Sequence, residues 1–343
     1  MIQTINPNMI LLAREARGFS QSVLAEKLNS YKANISRLEH GDTAVDEEVL
    51  AALSEATNYP PHFFLQKGEI MPVNLSYRKR KNVPAKLITP IEAQMNIIRR
   101  HVQTVTRAME QLVPELPLYK VDETNTPEKI AALVRKKWNI PAGAVENLSK
   151  ILEEKGIIIS SFDFGTDRVD SRSMLTDDNY PIIFLNKNLL GDRQRFSLAF
   201  ELGHLIMHTF CTVPHDRDIS HEANLFAAEF LMPAKDILKD FKDGVTLSLL
   251  GELKRKWKVS MIALLYRADD LGLLTTNQKR YLVQQFNDQK IRRREPQQLD
   301  VPKENPQLMQ RLLADFMSKT KLGVIQLCTV LAIEHEDYLA YYG

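Results

Sequence analysis

No run of about 18 or more apolar residues occurs in this chain, so nothing in it predicts a transmembrane helix. The opening stretch MIQTINPNM lacks the basic start and apolar core of a secretory signal. Cysteine is nearly absent: Cys211 and Cys328 are too few for a disulfide framework, suit a reducing compartment, and read as core fillers without a role. These absences predict a cytoplasmic protein with no membrane partner. A strong charge imbalance is missing too. With 45 Lys and Arg against 43 Asp and Glu, the net charge of +2 does not imply nucleic-acid binding by itself, so any such contact must come from local patches. What is present is ordinary for a folded protein. At 343 residues and 44% hydrophobic content, the chain is too long for one core and predicts two or three domains.

Residues 9–65 read as short amphipathic helices: MILLAREARG, SQSVLAEKLN, KANISRLEHG and DEEVLAALSEATN, closed by YPPHFFL. Ser20 suits an N-cap, Leu24 and Leu28 share one face, and Asn29 suits a stop. In the next helix Ile35 and Leu38 face inward, which turns Lys32, Ala33, Asn34 and Arg37 outward, and Gly41 ends it. Two helices joined by a tight turn, the second with an outward Lys, Asn and Arg, can lie in a major groove. Asn pairs with an adenine edge and Arg with a guanine edge, while Gln21 can hold a phosphate or base. The alternative is a bundle used for protein contacts.

The run SQSVLAEKL…NISRLEHG resembles the XRE (Cro/cI-type) helix-turn-helix family over about the first fifth of the chain. That resemblance implies a double-stranded DNA operator as partner and a DNA-contacting set of Gln21, Lys32, Ala33, Asn34, Ser36 and Arg37. Tyr31 departs from the pattern, which usually has a small capping residue there, so Ser30 is the alternative cap.

The basic cluster YRKRK follows in the segment 71–125 and reads as a solvated surface, with phosphate contact as the alternative. From Thr89 to Leu112 the apolar residues Ile91, Met95, Ile98, Val102, Val105, Met109 and Leu112 recur every three or four positions. This predicts one long helix starting at Thr89 or Pro90. Its stripe can form a homodimer, as twofold DNA-binding modules do, or pack on its own domain.

Residues 126–155 predict two helices broken at NIPAG, and GIIISSF, SRSMLT and YPIIFLN predict three strands. A helix from Asp192 to about His208 follows. In an HExxH helix two imidazoles at i and i+4 grip one zinc, and the Glu beside the first activates the bound water. Here those positions hold Phe200, Glu201 and His204.

RFSLAFELGHLIMH, followed by HEANLFAAEFLMP, resembles the ImmA/IrrE metallopeptidase family from about Thr126 to Pro296. The resemblance implies Glu201 as general base, with His204 and Glu222 as ligands, and Phe200 at the lost ligand position. A phenyl ring removes one bond and sets an apolar surface against the cation, so the expectation is a pseudo-peptidase with no cofactor. In that state Glu201, His204 and Glu222 are vestigial and pair with one another. The alternative is a zinc-dependent endopeptidase with a relocated site, for which His208, one turn beyond His204, is the replacement ligand; His221, Cys211 and His215 lie nearby in sequence.

Residues 246–286 predict helices packed on that core, and KIRRREP reads as a solvated edge. QQLDVPKENPQ reads as a linker, and 306–343 as two helices whose Tyr and Leu ending can serve a partner. The expected organisation is 1–70 helix-turn-helix, 71–125 basic linker and connector helix, 126–296 degenerate metallopeptidase domain, and 297–343 helical extension. The fold class is mainly α with a small β-sheet: an all-α unit plus an α+β zincin-like unit. The expected function is a transcriptional repressor of antitoxin type, with a co-encoded toxin or other protein as partner of the second domain.

Overall fold

The computed structural model describes residues 5–71, 78–79, 83–109, 114–209 and 216–343, with only the backbone at 78–79. Helices dominate, and the strands form one small sheet.

The chain begins with four helices, α1 (Pro7–Ala16), α2 (Gln21–Lys27), α3 (Lys32–His40) and α4 (Glu47–Thr57). Asn6, Ser20 and Asp46 cap α1, α2 and α4, each side-chain oxygen accepting from a first-turn N–H. Asn29 turns the chain after α2 with φ 47°, and Gly41 ends α3 with φ 78°, a left-handed value that glycine adopts without strain. Tyr31 occupies the N-cap of α3 and makes no side-chain cap bond. Ser30 does not replace it, because its hydroxyl accepts from the Asn34 side chain at 3.1 Å rather than from the helix backbone. The start of α3 is thus settled one residue past Tyr31.

Strand β1 (Arg78–Lys79) takes two residues of the YRKRK run into the sheet, where their backbone pairs with Ser171 and Val169. Part of the expected basic linker is therefore a sheet edge. The helix α5 (Ala85–Ala108) begins four residues before Thr89 and carries Pro90 inside it. In the second turn of the helix, Pro90 gives up the bond to the Lys86 carbonyl and crowds that carbonyl with its ring, yet the helix continues through it. Leu112 lies outside the described residues. The stripe Ile91, Met95, Ile98, Val102 and Val105 is buried within the chain, packed on α1, the sheet and the C-terminal helices. It is not available for the dimer contact that it could have made.

Next come α6 (Pro127–Lys137) and α7 (Leu148–Glu154), then β2 (Ile158–Phe162), β3 (Val169–Leu175) and β4 (Pro181–Asn186). The sheet order is β1-β3-β4-β2, with β2 parallel to β4 and the other pairs antiparallel. Both faces are covered, which explains the near-continuous apolar runs. Alternation sorts them: Ile158, Phe162, Ile182 and Phe184 join the core that contains α1, α5 and the C-terminal helices. Ile159, Ile183 and Leu185 join a second core on the other side.

That second core is completed by α8 (Gly191–Met207), α9 (Ile219–Leu231), α10 (Ala234–Ile237), α11 (Leu247–Trp257), α12 (Met261–Asp270) and α13 (Thr276–Asp288). The stretch expected as a linker instead lies tight on the protein. A Cβ on Gly191 would meet the Val301 carbonyl at 2.3 Å, and Glu304 binds Arg195 and the backbone N–H groups of Leu148 and Ser149. Three helices end the chain, not two: α14 (Leu308–Thr320), α15 (Val324–Leu331) and α16 (His335–Tyr342). Tyr341 and Tyr342 are buried in the first core, which corrects the expectation of an exposed Tyr ending; Leu339 does face solvent. Among the described residues no helix is long and apolar enough to cross a membrane.

Candidate functional site

Two places in the structure carry chemistry, one in the N-terminal helices and one on α8 and α9 in the middle of the chain. In the first, α3 buries Ile35 and Leu38 and leaves Lys32, Ala33, Asn34 and Arg37 in solvent, with Ser36 half-buried. The residues anticipated on its outward face share it. Gln21 differs, because its amide donates to Glu39 at 2.8 Å, and Glu39 is also gripped by Arg14 at 2.5 Å. Arg14 and Glu39 were not anticipated from sequence; they brace α1, α2 and α3, and Gln21 is partly spent in the brace. Lys32 and Arg37 are both exposed.

The second place is the C-terminal half of α8. Gly203 permits α9 to close against it: a Cβ there would meet the Phe226 ring at 3.0 Å. Phe200, Glu201, His204 and His208 of this segment are all buried. The Phe200 ring stands edge-on to His204, with centroids 4.7 Å apart. His204 Nδ1 lies 2.9 Å from His208 Nδ1, and His208 Nε2 lies 2.8 Å from Glu222 Oε2. Arg217 donates to both oxygens of Glu222, at 2.8 and 2.5 Å.

These contacts favour one arrangement of the protons. Burial tends to raise the Glu222 carboxyl, but the bonds from Arg217 and His208 outweigh it and hold it below the usual range. An ionised Glu222 accepts from His208 Nε2–H, so His208 Nδ1 is bare and accepts from His204 Nδ1–H. The chain of bonds ends at His204 Nε2, a buried lone pair with no hydrogen-bond partner among the described residues. Burial, with His208 and Arg172 beside it, lowers His204 to about 3, and burial lowers His208 as well, so both rings are neutral. Glu201 is elsewhere: Ser171 and Ser173 of β3 donate to its two oxygens at 2.8 and 2.7 Å. Burial pushes Glu201 up to about 7 against the pull of those hydroxyls. The expected three-way pairing of Glu201, His204 and Glu222 is thus corrected: His208 joins His204 to Glu222, and Glu201 turns to the sheet.

This donor set does not fit a catalytic zinc, which takes three protein ligands and a water. One imidazole lone pair is available at His204, a phenyl ring stands one turn before it, and Glu222 is held by a guanidinium that competes directly with a cation. For the relocated alternative, the facing Nδ1 atoms of His204 and His208, 2.9 Å apart, are turned to each other and not to a common point with Glu201. Among the described residues no group of three or more His, Cys, Asp or Glu is placed to hold a metal ion. Cys211 and His215 lie outside the described residues, and His221 is exposed and does not join the bond chain.

Beside this region lies a cleft of about 1150 Å³, lined in part by Asp192, Arg193, Phe196, His221, Ile262 and Arg293. Glu201, His204, His208 and Glu222 do not line it. Its floor holds a buried cation, Lys254, between Asp192 and Glu295, the latter at 2.6 Å. The KIRRREP run splits here, Glu295 being buried in that ion triad while Lys290, Arg292 and Arg293 stay in solvent at the rim.

Comparison with known families matches residues 10–64 to the Helix-turn-helix family and residues 152–269 to the IrrE N-terminal-like domain. No curated protein matches the chain. The two matched spans contain the two places described above, and the chain joins an XRE-type helix-turn-helix domain to an IrrE-like metallopeptidase fold.

Proposed function

We propose that this protein is a sequence-specific DNA-binding transcriptional regulator, a repressor, whose metallopeptidase-like domain has lost its zinc chemistry and acts as a sensor or partner-docking module. The observation that carries the reading is the outward face of α3, where Lys32, Asn34 and Arg37 stand exposed on a helix whose other side is fixed in a core. The second half rests on Phe200 seated against His204 and on Glu222 committed to Arg217. In this reading two copies bind a twofold operator as a homodimer, and a co-encoded toxin is the partner of the second domain.

Selection of duplexes from a random-sequence library by the full-length chain, with metal content measured on the same preparation, tests it. An enriched sequence and zinc far below one per chain support the regulator. Stoichiometric zinc that vanishes in His204→Ala, with no enriched sequence, supports a zinc endopeptidase instead. A pull-down that recovers no partner, together with no repression of its own promoter, removes the antitoxin role.

A further inference from the structure

We propose that Tyr31 reads thymine, its ring lying against the 5-methyl group of a thymine in the major groove at the leading end of α3. The inference rests on the DNA-reading role of α3 proposed above and names a residue outside the set expected to touch DNA.

Tyr31 is 80% exposed, the most exposed large apolar side chain among the described residues. It sits where a helix needs a cap. The other α-helices of the N-terminal unit have Asn6, Ser20 and Asp46 in that position, each accepting from a backbone N–H, and α3 alone has a side chain that cannot. The neighbouring Ser30 does not compensate, because Asn34 occupies its hydroxyl at 3.1 Å. A local rule is broken twice at one residue, by a missing cap and by an aromatic ring left in water. Such a coincidence marks a position held for binding.

The surroundings select the ligand. Tyr31 has extended backbone, φ −103° and ψ 147°, and is followed directly by exposed Lys32, Ala33 and Asn34. A helix entering the groove with Lys32 near phosphates and Asn34 at a base edge brings residue 31 to the base edges as well. The thymine methyl is the one apolar group that the major groove offers to a ring. The exposed Lys32 directly beside the ring counts against a protein partner here, because lysine is depleted from protein interfaces.

The test uses the full-length chain and the duplex it enriches from a random library. Each thymine of the enriched site is replaced by uracil, which removes only the methyl. The wild-type chain is expected to lose about fourfold in affinity at one position per half-site, the factor that burying one methyl group commands. Tyr31→Ser is expected to bind the thymine site more weakly by a similar factor, to be indifferent to uracil, and to keep or raise its Tm because a capping hydroxyl is restored. A site at which no thymine-to-uracil change matters overturns the proposal. So does a Tyr31→Ser chain that loses affinity equally on thymine and uracil, or one that binds DNA unchanged but loses self-association, which would assign the ring to a protein contact. Failure to enrich any sequence removes the α3 reading itself and this inference with it.

Discussion

The guanidinium of Arg17 holds both carboxylate oxygens of Asp337, at 2.7 and 2.6 Å, across 320 positions of sequence. Arg17 also donates to the Thr57 and Asn58 carbonyls and stacks over Tyr59 at 4.2 Å. It therefore ties the end of α1 to α16. Asp337→Ala is expected to destabilise the chain by about 1–3 kcal/mol, the range for charge-assisted bonds that are partly buried. A double-mutant cycle with Arg17→Ala, read by urea denaturation, checks it, and additive losses would show that the contact carries no energy.

Arg37→Ala and Asn34→Ala should leave stability within about 0.5 kcal/mol of the parent, since both side chains are exposed. Each should cost about 1–3 kcal/mol in binding to the selected operator and relax the sequence preference at one position. Fluorescence anisotropy on matched and single-mismatch duplexes distinguishes this from Lys32→Ala, which should weaken all sequences alike.

Phe200→His restores an imidazole one turn before His204. The expected result is a rise in bound zinc over the parent, seen by mass spectrometry of the metal, accompanied by loss of the Arg217–Glu222 pair. Phe200→Ala should instead cost about 3–5 kcal/mol through the cavity it leaves. Parent protein carrying a full zinc per chain after purification would sink the degenerate reading.

Lys254 sits between Asp192 and Glu295 with almost no exposure. Lys254→Met should destabilise by about 3–5 kcal/mol, because two carboxylates are then left without their cation. The triple replacement of Lys254, Asp192 and Glu295 by apolar residues should recover most of that loss, and thermal denaturation of the two variants provides the comparison.

His101, buried on α5, lies 2.8 Å from the Tyr342 hydroxyl. Burial lowers it from 6.5 to about 3, against a bond to the Leu331 backbone that favours its charged form. Its folded-state pKa is below the unfolded value, so its stabilising share is complete above pH 6.5 and is lost as pH falls towards 3. The loss should approach 1.4 kcal/mol per pH unit, an upper bound of about that size from linkage. Denaturation at pH 7 and pH 5.5 should differ less in His101→Gln than in the parent.

Much of this architecture was legible in the sequence where local chemistry decides it. Ser20, Asn29 and Gly41 mark α2 and α3 as written, and the runs GIIISSF, SRSMLT and YPIIFLN locate β2, β3 and β4 within a residue or two. The misses share a different origin. Pro90 looks like a helix start, but the packing of the stripe that follows it carries α5 through the proline. The third C-terminal helix is hidden because the turn before it uses Ala332 at φ 56°, with no glycine or asparagine to announce it. Strand β1 pairs through backbone, which side-chain pattern cannot report. At the second site the residue types were visible, but their partners were set by packing: Arg217 claims Glu222 from a loop, and Ser171 and Ser173 claim Glu201 from a strand. The alternate hydroxyls of SRSMLT, two residues apart on one face, were the available hint.

The sheet shared by the two cores has no side open to water, and the last helices form one of its covers. A shortened chain ending before Leu308 would strip the cover that α14 and α16 give Ile158 and Phe162 on β2, a ready seed for clumping. Anyone wishing to separate the reading head from the remainder must therefore carry the final segment along with it, or supply that cover from another source.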